Sequence, residues 1–207
     1  METSGHDLFI NDGTTVGAKE WLLDPDNVSI NAGTSERNDA SPTEDFPTGA
    51  GGKDNPKKNA HNKPTLINTT LERILSGNTF VNITARKRIT VNSDINIKDS
   101  SHLILWSEND NSSGVDIKGN ITSTTGGSLT IYSSGWIDIH KNITLNSGLL
   151  NITTKQGDIA FEKGNNPTIT GQGTITAGNG KGFRFENASL NGIGTGLLFN
   201  IKRDLGN

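Results

Sequence analysis

The chain contains no cysteine, one methionine, one tyrosine and three tryptophans in 207 residues. Without cysteine there are no disulfides, no thiolate nucleophile and no cysteine-ligated zinc, a composition compatible with crossing an oxidising compartment unfolded. Apolar residues make up only 30% and the mean hydropathy is −0.49, too little for a thick globular core or a helical bundle. No apolar run approaches the roughly 18 residues of a membrane span. Residues 1–20 lack the basic-then-apolar layout of a secretory signal. Charge of one sign is scarce too. A net charge of −3 and a pI near 5.8 do not suggest a nucleic-acid binder, which would usually show a basic face, so no nucleic-acid partner is expected. A charged fraction of 20% is too mild for a charged disordered tail.

What the chain has in quantity is glycine and asparagine, 25 of each. Residues 1–32 hold two short strand-like segments, Asp7–Ile10 and Val28–Ile30, with Lys19–Asp26 between them read as a turn around Pro25. Residues 33–65 turn polar and rich in glycine and proline, which predicts a long solvated insert. Thr69-Thr70-Leu71-Glu72 has the form of a capping box and predicts a two-turn helix with Leu71, Ile74 and Leu75 on one face, stopped by Gly77.

Across the rest of residues 66–207, apolar and polar residues alternate in short bursts. They are Val81–Ile83, Ile89–Val91, Ile95–Ile97, Leu103–Leu105, Val115–Ile117, Leu129–Ile131, Ile137–Ile139, Leu150–Ile152, Ile159–Phe161, Ile175 and Phe183–Phe185, separated by Gly, Asn, Ser or Asp. Val115–Thr122 matches Ile137–Thr144 at five of eight positions, 22 residues apart, and Leu103, Leu129 and Leu150 head strands at similar intervals. A repeat of this length with two or three short strands predicts a β-solenoid. Stacking the coils about 4.8 Å apart supplies the continuous apolar interior that no single coil can bury. An antiparallel sandwich or barrel would leave the register unexplained. The expected fold is all-β, a right-handed parallel β-helix with a long polar insert and one short helix.

Motifs for catalysis are thin. The four histidines (His6, His61, His102, His140) form no metal-binding pair. Gly178–Gly182 lacks the Lys-Ser/Thr ending of a phosphate loop, and Gly192–Gly196 is not followed by a helix pattern, so no cofactor is expected. Asp94, Asp116 and Asp138 recur at the repeat interval. Stacked on an outer face they would form a carboxylate column able to hold a divalent cation or act as paired acids. Lys118, His140 and Lys141 stand close enough to neutralise it, and no arginine is expected in this face.

Asn-x-Ser/Thr occurs at Asn27, Asn68, Asn82, Asn111, Asn120, Asn142, Asn151 and Asn187. Four of the eight read Asn-Ile-Thr, the form that an outward-inward-outward strand produces by alternation alone. Trp106, Tyr132 and Trp136 are candidates for stacking on sugar rings from outward positions. Packing under loops is the other role open to each of them.

Glu2–Ile10, Ala18–Asn31, Gly77–Thr84 and Leu129–Thr144 resemble the high-molecular-weight non-pilus adhesins, large exoproteins of the filamentous-haemagglutinin type secreted by the two-partner route of Gram-negative bacteria. The resemblance covers nearly the whole chain except Gly33–Pro64 and Lys202–Asn207. It places Met1 just after the secretion domain that an outer-membrane transporter recognises in such proteins. It implies a secreted, surface-located adhesin that attaches to host cells through sialylated glycans, with hexose added to Asn-x-Ser/Thr by a cytoplasmic N-glycosyltransferase. All eight acceptor motifs fit that pattern. No receptor-binding residue transfers, because no compact motif marks such a site. The competing readings are a polysaccharide-active enzyme using Asp94, Asp116 and Asp138, and a passive spacer.

Overall fold

One buried and one outward residue alternate along most strands, and every strand pairing is parallel. The computed structural model describes residues 2–4, 19–33, 65–108, 113–161, 167–179, 181–185 and 196–201. In chain order the elements are β1 (Glu2–Ser4), β2 (Glu20–Asp24), β3 (Asn27–Asn31), β4 (Thr65–Ile67), α1 (Asn68–Ile74), β5 (Phe80–Ala85), β6 (Arg88–Val91), β7 (Ile95–Asn96) and β8 (His102–Ser107). They continue with β9 (Gly114–Ile117), β10 (Ile121–Ser123), β11 (Ser128–Ser133), β12 (Trp136–Ile139), β13 (Ile143–Thr154), β14 (Ile159–Phe161), β15 (Ile169–Ala177), β16 (Phe183–Phe185) and β17 (Leu197–Ile201).

These elements wind into a β-solenoid with three faces per coil. The first face stacks β2, β5, β8, β11, residues 149–154 of β13, residues 172–177 of β15, and β17. The second stacks β3, β6, β9, β12, β14 and β16. The third stacks β7, β10, residues 143–145 of β13 and the start of β15. Parallel strands usually sit in sheets covered on both sides. Here the three inner faces cover one another and the outer faces meet solvent, which is why period-two alternation survives.

The core is a set of columns along the axis. Leu23, Ile83, Leu105, Ile131, Ile152 and Ile175 form one; Ile30, Val91, Ile117, Ile139 and Phe161 another; Ile95, Ile121, Ile143 and Ile169 line the third face. All are buried. Each side chain fully withdrawn from water contributes roughly 1.5–3 kcal/mol before entropy is set against it. The expected 115–122 and 137–144 match is a true register: Val115 lies on Ile137, and Ile121 on Ile143.

The corners are held by side chains that replace missing backbone partners. Asp94 Oδ1 accepts the Asn120 N–H at 2.7 Å, Asn120 Oδ1 accepts the Asn142 N–H at 3.2 Å, and Asn142 Oδ1 accepts the Thr168 N–H at 2.8 Å. The steps between these residues are 26, 22 and 26, so coil length varies while the ladder persists. Asn142→Ala should therefore cost about 1 kcal/mol by orphaning the Thr168 N–H. Asn142→Asp, which keeps the acceptor, should cost less; urea denaturation of the two variants checks this.

Several expectations need correction. Residues 20–24, read as part of a turn, form strand β2, and only Pro25–Asp26 makes the corner. The reason is that Trp21 and Leu23 alternate inward with Leu22 half-buried, a strand pattern that the neighbouring Pro25 masks. The helix forms, and Leu71, Ile74 and Leu75 are buried as expected, but it begins at Asn68 without a side-chain cap. Glu72 Oε1 instead accepts the Asn96 N–H at 2.7 Å, so α1 covers the open edge of β7. An uncovered strand edge would invite pairing with another chain. Asp7–Ile10 and most of the 33–65 insert lie outside the described residues.

Candidate functional site

Outward residues of the first face form rows across the strands. β5 presents Phe80, Asn82 and Thr84; β8 presents His102, Ile104 and Trp106; β11 presents Ser128, Thr130 and Tyr132; β13 presents Asn151 and Thr153. Phe80 and Trp106 are 37% and 38% exposed, unusual for large apolar side chains. Trp106 and Tyr132 stack with centroids 4.1 Å apart and planes 26° from parallel. Phe80 meets His102 edge-on at 4.8 Å, and His102 Nε2 lies 2.9 Å from Thr130 Oγ1. Aromatic edges and faces thus alternate with amides and hydroxyls over one outer face.

Trp136 is not part of it. It starts β12 on the second face and leans over Gly114, where even a methyl group would meet the indole at 2.3 Å. The Arg88 guanidinium lies 5.1 Å from its ring centroid, a cation–π contact. Of the three aromatic candidates, the fold brings Trp106 and Tyr132 together and sends Trp136 around the corner. Phe80, His102 and Arg88 were missed. The signals for the first two were Phe80-x-Asn82-x-Thr84 and His102-x-Ile104-x-Trp106, outward series on adjacent strands.

The carboxylate column does not assemble as expected. Asp116 and Asp138 are register partners on β9 and β12, but Thr90 of β6 lies where Asp94 was placed. Asp94 stands at the base of the asparagine corner ladder, because its coil step is 26 residues rather than 22. Asp158 precedes β14 in line with Trp136, and Ala160 occupies the position next to Asp138. Lys118 Nζ lies 2.5 Å from Asp116 Oδ2, and His140 Nε2 lies 3.0 Å from Asp116 Oδ1 without hydrogen-bond alignment. An arginine does lie here: Arg184 approaches Asp138 at 3.9 Å and Asp158 at 3.8 Å. Among the described residues no group of three or more histidines and acids is placed to hold a metal ion.

The sequon asparagines divide by what their amides do. Asn68 Nδ2 donates to the Asp94 backbone oxygen and Asn120 Nδ2 to Asp94 Oδ1, both at 3.0 Å. Asn82 Oδ1 accepts from Thr84 Oγ1 and Asn151 Oδ1 from Thr174 Oγ1, both at 3.3 Å, which leaves the Nδ2 groups without a partner among the described residues. Asn142 is exposed and Asn27 half-buried on β3. Asn111 and Asn187 lie outside the described residues.

Desolvation by burial lowers the His102 pKa from its ordinary 6.5. The folded chain then binds a proton less readily than the unfolded chain. His102 stability is fully present above about 6.5 and is lost as pH falls through the folded value. Between pH of about 7.5 and 5, the wild-type thermal midpoint should fall further than that of His102→Gln.

Compared with family models, with curated proteins and with solved structures, the chain matches none. Among the described residues no helix is long and apolar enough to cross a membrane.

Proposed function

We propose that this solenoid is a segment of a secreted, surface-located bacterial adhesin and that its first outer face attaches to host-cell glycans. The single observation that carries the reading is the outward-facing Trp106–Tyr132 stack, set among Asn82, Thr84, Thr130, Asn151 and Thr153. Sugar recognition draws on aromatic ring faces and edges for C–H contacts and on amides and hydroxyls for the ring oxygens. The exposed run Arg86-Lys87-Arg88 turns the adjoining corner, a cationic neighbour suited to sialylated sugars. The sequence resemblance to two-partner-secreted adhesins supports the same reading.

The role is binding rather than catalysis. In support, Asp116 is engaged by Lys118 rather than left open to a substrate. In the full-length parent, an outer-membrane two-partner transporter and a cytoplasmic N-glycosyltransferase are the proposed partners. The acceptors proposed among the described sequons lie off the first face, at Asn27 and Asn142, whose amide nitrogens have no partner among the described residues.

The test is a glycan array probed with the folded chain, followed by titration of the best ligand. Trp106→Ala and Tyr132→Ala should each weaken binding up to about tenfold, the worth of one aromatic contact, with an unchanged circular-dichroism spectrum. Trp136→Ala should leave affinity within about twofold, since Trp136 lies on the second face. Attachment by the full-length parent that survives both first-face substitutions would leave this segment a spacer.

A further inference from the structure

Trp106 and Tyr132 cover each other, so their shared faces are unavailable to a ligand. The register places Thr84 on the far side of Trp106 and Thr153 on the far side of Tyr132. Both threonines are short and half-buried, so each ring keeps one face turned toward a shallow notch. The notches are built alike. Asn82-Ile83-Thr84 and Asn151-Ile152-Thr153 are the same tripeptide in the same register, each with its isoleucine in the core and its asparagine and threonine outward. In both, the asparagine oxygen is engaged by a threonine hydroxyl while Nδ2 has no partner among the described residues.

The likeness extends around the corner. Two residues beyond Thr84 stands Arg86, and two beyond Thr153 stands Lys155, both exposed. Arg86 is 3.6 Å from Asp26, a contact weak enough at that exposure to yield to a ligand anion. The equivalent positions on the two strands between them are Glu108 and Ser134. The backbone bonds Glu108 N to Ala85 O, Ser134 N to Ser107 O and Lys155 N to Ser133 O carry the register through this corner. Along the axis the order is therefore cation, anion, neutral, cation.

We infer that Asn82/Thr84/Arg86 and Asn151/Thr153/Lys155 are a matched pair of acidic-sugar subsites flanking the aromatic stack, and that the ligand is an oligosaccharide lying along the solenoid axis, across the strands. The subsites are three strand spacings apart, about 14 Å. A sugar residue in an extended glycan advances by roughly one such spacing, so a ligand of about four residues reaches both. Glu108 disfavours negative charge between the subsites. The preferred chain then carries its carboxylates or sulfates on two residues separated by two neutral ones. This rests on the glycan-binding reading above and adds ligand length, direction and charge pattern to it.

The experiment is titration calorimetry of the full chain, produced without a glycosyltransferase so that Asn82 and Asn151 stay unmodified. The probes are a tetrasaccharide with a uronic acid at each end and two neutral hexoses between them, and the disaccharide of one uronic acid and one neutral hexose. The tetrasaccharide should bind at least tenfold tighter than the disaccharide. Arg86→Gln and Lys155→Gln should each reduce tetrasaccharide affinity about five- to tenfold and disaccharide affinity by no more than about twofold. Glu108→Gln should narrow the preference for the end-charged over a uniformly acidic tetrasaccharide. Equal affinity for the two lengths, or an effect from only one of the two cation variants, would overturn the paired subsites while leaving a glycan-binding face. Failure of a folded chain to bind any probe, on the calorimeter and on the array, overturns the glycan reading and this inference together.

Discussion

Gly135→Ala is expected to destabilise the fold by about 3 kcal/mol, a drop in thermal midpoint on the order of 10 °C for a chain of this size. A Cβ at Gly135 would sit 2.1 Å from the Ser113 backbone oxygen and 3.1 Å from its carbonyl carbon. Neither can move aside as a flexible side chain would. Ser113 O accepts the Trp136 N–H at 3.3 Å, and the Gly135 N–H donates to Ser133 Oγ at 3.1 Å. Above, a Cβ on Gly157 would lie 2.2 Å from the Gly135 oxygen, so the coil on that side has no slack either. Gly135 has an ordinary negative-φ backbone, since it is not among the positive-φ glycines. The effect is therefore steric, not a penalty of conformation. Gly182→Ala is the control: nothing among the described residues lies within 4 Å of its Cβ, and the change should be neutral or stabilise by a few tenths of a kcal/mol. Thermal melts followed by circular dichroism compare the two; equal midpoints would show that the corner backbone yields.

Ile131→Ala should cost about 3–4 kcal/mol. Ile131 lies between Leu105 and Ile152 in the longest column of the core and is 1% exposed. Its removal leaves a void that close-packed neighbours on rigid strands cannot fill. In a solenoid each coil touches only its neighbours, so weakening the middle also weakens coupling between the two ends. The single unfolding transition is accordingly expected to broaden or split. Leu198→Ala, at a position 57% exposed near the C-terminal end, should change stability by less than about 0.5 kcal/mol and leave the transition sharp. Calorimetric and van't Hoff enthalpies that stay equal in Ile131→Ala would show that the coils unfold as one unit after all.

Much of the strand content was legible because alternation is local. Val81 and Ile83, or Ile137 and Ile139, point inward in the fold as the two-residue period requires. The segments that escaped notice were those with a short or blurred period. β10 has one apolar residue, Ile121, and β17 reads Leu-Leu-Phe-Asn-Ile without alternation. The hydroxyls inside the corner were likewise hidden. Ser107 Oγ donates to Lys87 O at 2.7 Å and Thr154 Oγ1 to Gly157 O at 2.6 Å, bonds that exist only once coils stack.

The candidate site was half legible for a related reason. Trp106 and Tyr132 could be recognised as outward, but nothing in their 26-residue separation distinguished them from Trp136 as a partner pair. Asp94 shows the same difficulty in reverse, since a regular 22-residue count placed it with Asp116 and the fold placed Thr90 there.

The sequence alone determined that short parallel strands would stack around an apolar interior. Which residues face inward depends on a two-residue period, and that period is written into each strand. Tertiary structure alone decided which outward residues share a column. Coils step by 26, 22 and 26 residues along the asparagine ladder, and the extra residues go into corners that carry no periodic signal. Register between coils is set by backbone hydrogen bonds and by the room a corner has for its loop. That is why Trp106 meets Tyr132, Trp136 lies over Gly114, and Asp94 holds a corner instead of joining Asp116.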